Sequence, residues 1–419
     1  MHKAGYKKGQ KLGHIAICWY HPFSSAIIFL MRGGTEYRRI EKYNRESSSR
    51  EQAGSAVIDI IGSPLRIQLH APSRGICVSI KRTPSGRVNV TDVAKAAGVS
   101  VATVSRSFNL PHHVRDDVRE KVLQTASKMG YTPNPAAKAL RLQKTHVIGA
   151  IIPTLDHSIY ATMVKSFQDK LAEYGYVVYV LSCGFDSNAI SNNVRLLVER
   201  GAEALLIVGD IADPDLIRYL TEYRMPVVCT YSYYENKAFP FIGFDNYLAT
   251  KQMTEYLLGL GHRHMAMLTG PMQGNDRQQA RHKAFIDALT VSKSKCTHFT
   301  YESAGGYTIE FGEKTLRRIR LEYPDVTAII CNSDVIAFGV LSACKKLGID
   351  VPREMSVVGY DNLEFAEYLD PPLTTLAVPA GEMGLRSAEA LIANLKNGTP
   401  IKPLLLGTQL MIRQSSHSI

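Results

Sequence analysis

The chain has 419 residues, of which 45% are hydrophobic, and a net charge of +11. That length allows two or three domains, and that apolar content is enough for a full core. Seven cysteines (Cys18, Cys77, Cys183, Cys229, Cys296, Cys331 and Cys344) are scattered without a C-x-x-C pair, and they read as buried thiols in a reducing cytoplasm, not as a disulfide framework or a zinc site.

Residues 1–85 match nothing else in the chain. Residues 12–31 are apolar after a Lys-rich start, as in a signal peptide or anchor, but His14, His21, Pro22, Ser24 and Ser25 interrupt the run. A spanning helix needs about twenty unbroken apolar residues, so no membrane partner is expected. The extension is expected to be disordered, or to follow from a start codon assigned too far upstream.

Charge then becomes informative. Residues 81–145 hold 12 Lys or Arg against 4 Asp or Glu, whereas 146–419 hold 25 against 29. A basic patch of this kind supplies the salt-dependent phosphate contacts of DNA binding. Within it, residues 90–109 read VTDVAKAAGVSVATVSRSFN. Ala94 falls where a second helix must pass close, and Gly98 falls in a turn that needs positive φ. Ser100 is placed to cap the next helix, its oxygen accepting from free backbone N–H groups. Val104 then faces inward, leaving Val101, Ala102, Ser105 and Arg106 on the outer face. This is the pattern of a helix-turn-helix, whose second helix sets its first residues against base edges in the major groove. Arg106 carries donors suited to guanine O6 and N7, while Val101 and Ala102 can only touch a thymine methyl or exclude by shape. An ordinary helical hairpin in a core is the competing reading.

A third helix follows around Val118 and Val122, stopped by Gly130. Val93, Val104, Phe108, Val118 and Val122 are its expected shared core. Beyond the Tyr131-Thr-Pro-Asn-Pro135 break, residues 136–144 form a short helical stretch with no partner of its own. A helix that short is marginal in water and should order only on something else.

From Val88 to Arg413 the sequence resembles the LacI/GalR family of transcriptional regulators. The resemblance implies a helix-turn-helix headpiece at 86–133, a hinge helix at 134–145 and an effector-binding, dimerising core at 146–419. It implies that Leu140 wedges into a central base step from the minor groove, the general use of an apolar wedge there. The candidate DNA contacts are then Ser100, Val101, Ala102, Thr103, Ser105, Arg106, Asn109, His113, Tyr131, Asn134, Ala137 and Leu140.

Residues 146–419 alternate strands and helices. The strands are expected at Val147–Ile152, Val177–Leu181, Ala204–Val208, Val227–Thr230, His264–Leu268, Ala328–Cys331 and Ser356–Val358. Such βαβ repetition gives parallel sheets covered on both faces. Two halves of this kind resemble the type I periplasmic-binding-protein shape, an α/β core of two parallel-sheet subdomains. Ligands of such sheets sit outside the carboxyl ends of the strands. The candidate effector residues there are Asp156, Tyr160, Tyr231, Asp245, Arg281, Ser333 and Asp361, with His157 and Asp334 beside them. Arg281 begins Arg-His-Lys-Ala284-Phe285, similar to the family's Arg-x-x-Gly-Phe with Ala284 in place of glycine. Asp245 and Asp334 also suit helix caps. The core has no Trp to stack on a sugar, which leaves Tyr231 or Phe285 for that task.

The function expected is therefore a sequence-specific DNA-binding regulator, a repressor, controlled by a small sugar or sugar derivative. Its expected partners are a palindromic operator in double-stranded DNA, the effector, and a second copy in a homodimer or tetramer. A solute-binding protein without a DNA role is the alternative. No nucleophile elbow, Walker loop or metal cluster stands in the sequence, so neither catalysis nor a cofactor is expected, and the loop Thr269–Gly274 is too weak a pattern for a phosphate cradle.

Overall fold

The computed structural model describes residues 88–133, 144–184, 187–292 and 295–419, with 187 and 188 as backbone only, and the backbone of five strands between 29 and 82. Of those five, β1 (Phe29–Arg32) pairs antiparallel with β2 (Glu36–Arg39). A second antiparallel sheet has the order β3 (Ser55–Asp59), β4 (Leu65–His70), β5 (Cys77–Arg82). The rest of residues 1–87 lie outside the described residues. The chain divides into two compact units, Met1–Thr132 and Pro133–Ile419.

In the first unit, α1 (Val90–Ala97) starts in a capping box. Asn89 Oδ1 accepts from the Thr91 and Asp92 amides at 2.8 and 3.1 Å, and Asp92 accepts from the Asn89 amide at 2.9 Å. Two orphan donors are satisfied reciprocally. The helix stops at Gly98, whose φ of 67° lies in the left-handed region that a side chain would disfavour. Ser100 Oγ accepts from the Thr103 amide at 3.0 Å and starts α2 (Val101–Asn109). A 3-10 turn at Pro111–His113 leads to α3 (Asp116–Lys128). Val93, Ala94, Ala97, Val104, Val122 and Ala126 form the buried core. The sequence assigns Val118 and Phe108 to that core as well. In the fold Val118 is only half-buried, and Ala126, two turns along the same face, is the buried residue instead. Phe108 lies at the core's edge with its ring 5.9 Å from that of Tyr131.

The second unit carries two six-stranded sheets. The first contains β6 (Val147–Ile152), β7 (Val177–Ser182), β8 (Ala202–Val208), β9 (Val227–Thr230), β10 (Phe241–Gly243) and β16 (Leu404–Leu405), in the order β16-β10-β9-β8-β6-β7. The second contains β11 (His264–Thr269), β12 (Thr297–Glu302), β13 (Ala328–Cys331), β14 (Ser356–Asp361), β15 (Thr374–Ala377) and β17 (Gln409–Met411), in the order β12-β11-β13-β14-β15-β17. All neighbours are parallel except β15 and β17, an antiparallel edge pair that the expectation of two parallel sheets lacked.

Eight helices among the described residues of this unit cover the sheets: α4 (Ser158–Ala172), α5 (Ser187–Glu199), α6 (Pro214–Glu222), α7 (Asn246–Gly259), α8 (Asp276–Val291), α9 (Ile309–Glu322), α10 (Asp334–Leu347) and α11 (Ala380–Asn397). The chain crosses between the sheets after β10, after β15 and again after β16. The second crossing lays α11 along α4, in the half built mostly from residues 147–243. Gly384 makes that contact possible, since a Cβ there would stand 2.2 Å from the Met163 carbonyl oxygen. The half-barrier to reading this from sequence is topological: α11 follows the second half in the chain but packs on the first. Among the described residues no helix is long and apolar enough to cross a membrane.

Candidate functional site

Two surfaces carry the sequence-predicted residues. On α2, Val104 and Ser107 are buried while Val101, Ala102 and Arg106 are exposed and Ser105 is half-buried. The helix therefore presents its first turn and Arg106 on one side. Arg106 has no ion-pair partner among the described residues, so its donors are available. Thr103 Oγ1 lies 2.9 Å from Ser100 Oγ, which ties both hydroxyls to the helix start. Asn109 is partly committed to its own helix, donating from Nδ2 to the Ser105 carbonyl at 2.7 Å. His113 is exposed, and Tyr131 is half-buried against Phe108. Asn134, Ala137 and Leu140 lie outside the described residues.

The second site is a partly open cavity within the second unit, enclosing about 340 Å³ of empty space when the solvent at its mouth is counted. It is lined by His157, Ile159, Tyr160, Tyr231, Arg277, Gln278, Arg281, Tyr307, Asn332, Ser333 and Asp361. The strand ends explain the gathering. Tyr231 follows β9, Asn332 and Ser333 follow β13, and Asp361 ends β14, all at carboxyl ends as in other open parallel sheets. Tyr231 and Asp361 have positive φ values of 64° and 106°. Such non-glycine conformations are costly and cluster where a binding site over-determines the backbone.

Five of the seven effector candidates meet here: Tyr160, Tyr231, Arg281, Ser333 and Asp361. Two do not line the cavity. Asp156 is exposed and accepts a hydrogen bond from Thr154 Oγ1 at 3.0 Å. Asp245 caps α7, its carboxylate accepting from the Tyr247 and Leu248 amides at 2.8 and 3.0 Å. The helix N-terminus competes for a carboxylate at that position and wins. Asp334 is also not a lining residue. Ser333 is the cap of α10, while Asp334 turns inward and accepts from Thr375 Oγ1 and the Leu363 amide at 2.6 and 2.7 Å. Phe285 is fully buried outside the lining, which leaves the tyrosines as the available rings.

The sequence reading missed Ile159, Arg277, Gln278, Tyr307 and Asn332. Arg277 and Gln278 had a signal: they stand one turn before Arg281 on α8, so all three share a face. Asn332 follows a strand directly. Tyr307 sits on a loop and offered none.

The polar groups form one network. Gln278 Oε1 accepts from Thr269 Oγ1 at 2.5 Å and from Asn332 Nδ2 at 2.7 Å, and its amide donates to the Tyr307 hydroxyl at 2.8 Å. Arg281 Nε donates to Asn246 Oδ1 at 2.8 Å and Nη1 to the Asn332 carbonyl at 3.1 Å. Arg277 pairs with Asp276 at 2.8 Å, and Asp276 accepts from Ser232 and Tyr234. The Tyr231 hydroxyl donates to the Ile159 carbonyl at 2.8 Å, and its ring lies 4.9 Å from that of Tyr160. Burial raises the Asp361 carboxyl well above the usual carboxylate range, more than Arg281 lowers it. Burial likewise raises the Tyr160 and Tyr231 phenols, so both stay neutral donors. A wall of hydroxyls, amides and a carboxyl around two guanidinium groups, of which Arg277 is ion-paired with Asp276, suits a small polyhydroxylated molecule.

Residues 89–134 match the profile described as bacterial regulatory proteins, lacI family, and residues 254–416 match a periplasmic binding protein-like domain. The HTH-type transcriptional repressor CytR of Escherichia coli is 28% identical over 334 residues, spanning 78% of this chain and 96% of that protein. The ribose operon repressor of Haemophilus influenzae is 29% identical over 338 residues, spanning 78% and 98%. The solved lac repressor dimer bound to operator and the anti-inducer ONPF aligns at a TM-score of 0.70 and 26% identity, over 79% of this chain and 100% of that one. A LacI-family regulator from Silicibacter pomeroyi, 22% identical, shares the fold at a TM-score of 0.73 over 78% of this chain and 99% of that one.

Proposed function

Because the chain belongs to the lacI family of bacterial regulatory proteins, we propose that it represses transcription as a homodimer on a palindromic operator, with a sugar-type effector in the core cavity setting its affinity for DNA. It is a DNA-binding regulator and not an enzyme. The observation that carries the reading is α2, capped by Ser100, with Val104 buried and Val101, Ala102 and Arg106 exposed on one side. Two such helices in a dimer reach half-sites about one DNA turn apart. Ser100, Thr103, Ser105, Asn109, His113 and Tyr131 position the headpiece beside them. Asn134, Ala137 and Leu140 act in the hinge, Leu140 as the minor-groove wedge. The site of action is the cytoplasm, where the operator is.

Coupling runs from the cavity to the hinge. The cavity is lined from both sheets of the core, which are joined by three chain crossings, so a bound effector favours one arrangement of the two halves. An effector shifts operator affinity only by its differential affinity for the two arrangements. The test is selection from random DNA followed by gel shift with full-length protein. A palindrome bound specifically, and released or retained by a bound sugar, is the expected result. Binding without sequence preference would overturn the proposal.

A further inference from the structure

Arg281 is a buried cation that makes no ion pair among the described residues. It is 5% exposed. Its hydrogen bonds go to Asn246 Oδ1 and the Asn332 carbonyl, and its guanidinium lies 3.5 Å from the centroid of the Tyr360 ring. All three partners are neutral, and among the described residues no carboxylate oxygen lies within ion-pair distance of it. Removing a charge from water is costly unless an opposite charge and full hydrogen bonding replace the solvent. Arg277, one turn earlier, differs, because Asp276 pairs with it. Asp361 shares the cavity without pairing with Arg281, and burial raises its carboxyl more than the Arg281 charge lowers it.

A second buried group points the same way. Asn332 is 1% exposed and lines the cavity. Its Nδ2 is committed to Gln278, while its Oδ1 has no hydrogen-bond partner. Buried acceptors are rarely left unpaired, and such an exception calls for a partner. The cavity thus holds one guanidinium that makes no ion pair among the described residues and one acceptor awaiting a donor.

We propose that the effector is a hydroxylated carboxylate, a sugar acid, whose carboxylate pairs with Arg281 and one of whose hydroxyls donates to Asn332 Oδ1. This rests on the cavity being the effector site. A single guanidinium without an ion pair matches a single negative charge, which favours a carboxylate over a phosphate dianion.

Titration calorimetry on the full-length protein tests this with two matched series. One is D-glucose, D-gluconate, D-glucuronate and glucose 6-phosphate, and the other is D-galactose and D-galacturonate. At least one acid should bind about tenfold or more tighter than its neutral parent, the scale of a charge-assisted hydrogen bond. Arg281→Gln should bring acid and parent level. Arg281→Lys keeps the charge but loses the fork, so it should bind the acid more weakly and still prefer it. That preference separates a lost charge from a misfolded core. A neutral sugar or the phosphate binding as tightly as the best acid, or no acid binding, overturns the proposal. Gel shifts with each compound keep the two readings apart. A neutral sugar that alters operator binding overturns the acid and leaves the repressor standing, whereas an acid that binds a protein without specific operator affinity does the reverse.

Discussion

The Arg281 guanidinium lies over the face of Tyr360, 3.5 Å from its centroid, so that a residue of α8 rests on a residue of β14 directly before Asp361. The ring is fully buried and supports the cation with its negative face while Asn246 and the Asn332 carbonyl hold its edge.

Replacing that platform should therefore weaken both core and site. Tyr360→Leu should destabilise the core by on the order of 2 kcal/mol and weaken effector binding about tenfold. Tyr360→Phe should cost under about 1 kcal/mol, since the hydroxyl's contact with Asn246 Oδ1 is long at 3.4 Å. Urea unfolding and calorimetry on the two variants separate ring from hydroxyl. Equal losses for both would mean that the ring is not the support.

Ser100→Ala removes the acceptor for the Thr103 amide at the start of α2. It should cost the headpiece about 1 kcal/mol. Operator affinity should fall while effector binding to the core stays unchanged. A variant that binds operator like the parent would show that the cap is replaceable.

Arg106→Ala should cost about 1–3 kcal/mol on the selected operator and relax base choice at one position in each half-site. Selection from random DNA with the variant reads this directly. A retained base preference would assign Arg106 to a phosphate instead.

The Asp334 carboxyl is pushed up to about 7 by burial, in spite of the hydrogen bonds it accepts from Thr375 and Leu363. The folded protein holds a proton there that the unfolded chain releases near the ordinary value of 3.8. Its contribution to stability is full below about pH 4, declines as pH rises, and is gone above about pH 7. Asp334→Asn cannot titrate. Across that window the parent should lose stability relative to the variant, by up to about 1.4 kcal/mol per pH unit. Urea melts of both proteins between pH 5 and 8 give the difference, and a difference independent of pH would show the group to be ionised throughout.

Much of this protein was legible in its sequence, and the legible parts share a cause. Ala94, Gly98, Ser100 and Val104 act within about ten residues, through helix caps, a left-handed turn and one inward face, so local pattern alone specifies them. Strands β6, β9 and β13 were equally plain, because both faces of a central parallel strand are buried and the residues run continuously apolar. The edge strand β12 was not read, since Thr297–Glu302 is mostly half-exposed and alternates polar with apolar residues.

Sequence by itself thus determined the helix-turn-helix, the βαβ repetition, and the strand ends where a ligand would sit. Only the tertiary structure decided which strand-end residues face the cavity. Asp245 and Arg281 were both candidates, Asp245 with a helix cap as its other reading, and in the fold Asp245 is drawn to the free amides of α7, while Arg281 is carried inward over Tyr360. Only tertiary structure, too, returned α11 to pack on α4 and set Asn332 against Gln278, 54 residues apart. Caps and periodicity are forces between chain neighbours and can be read in order along the chain. Convergence on a cavity depends on where distant segments meet, and no local pattern encodes that.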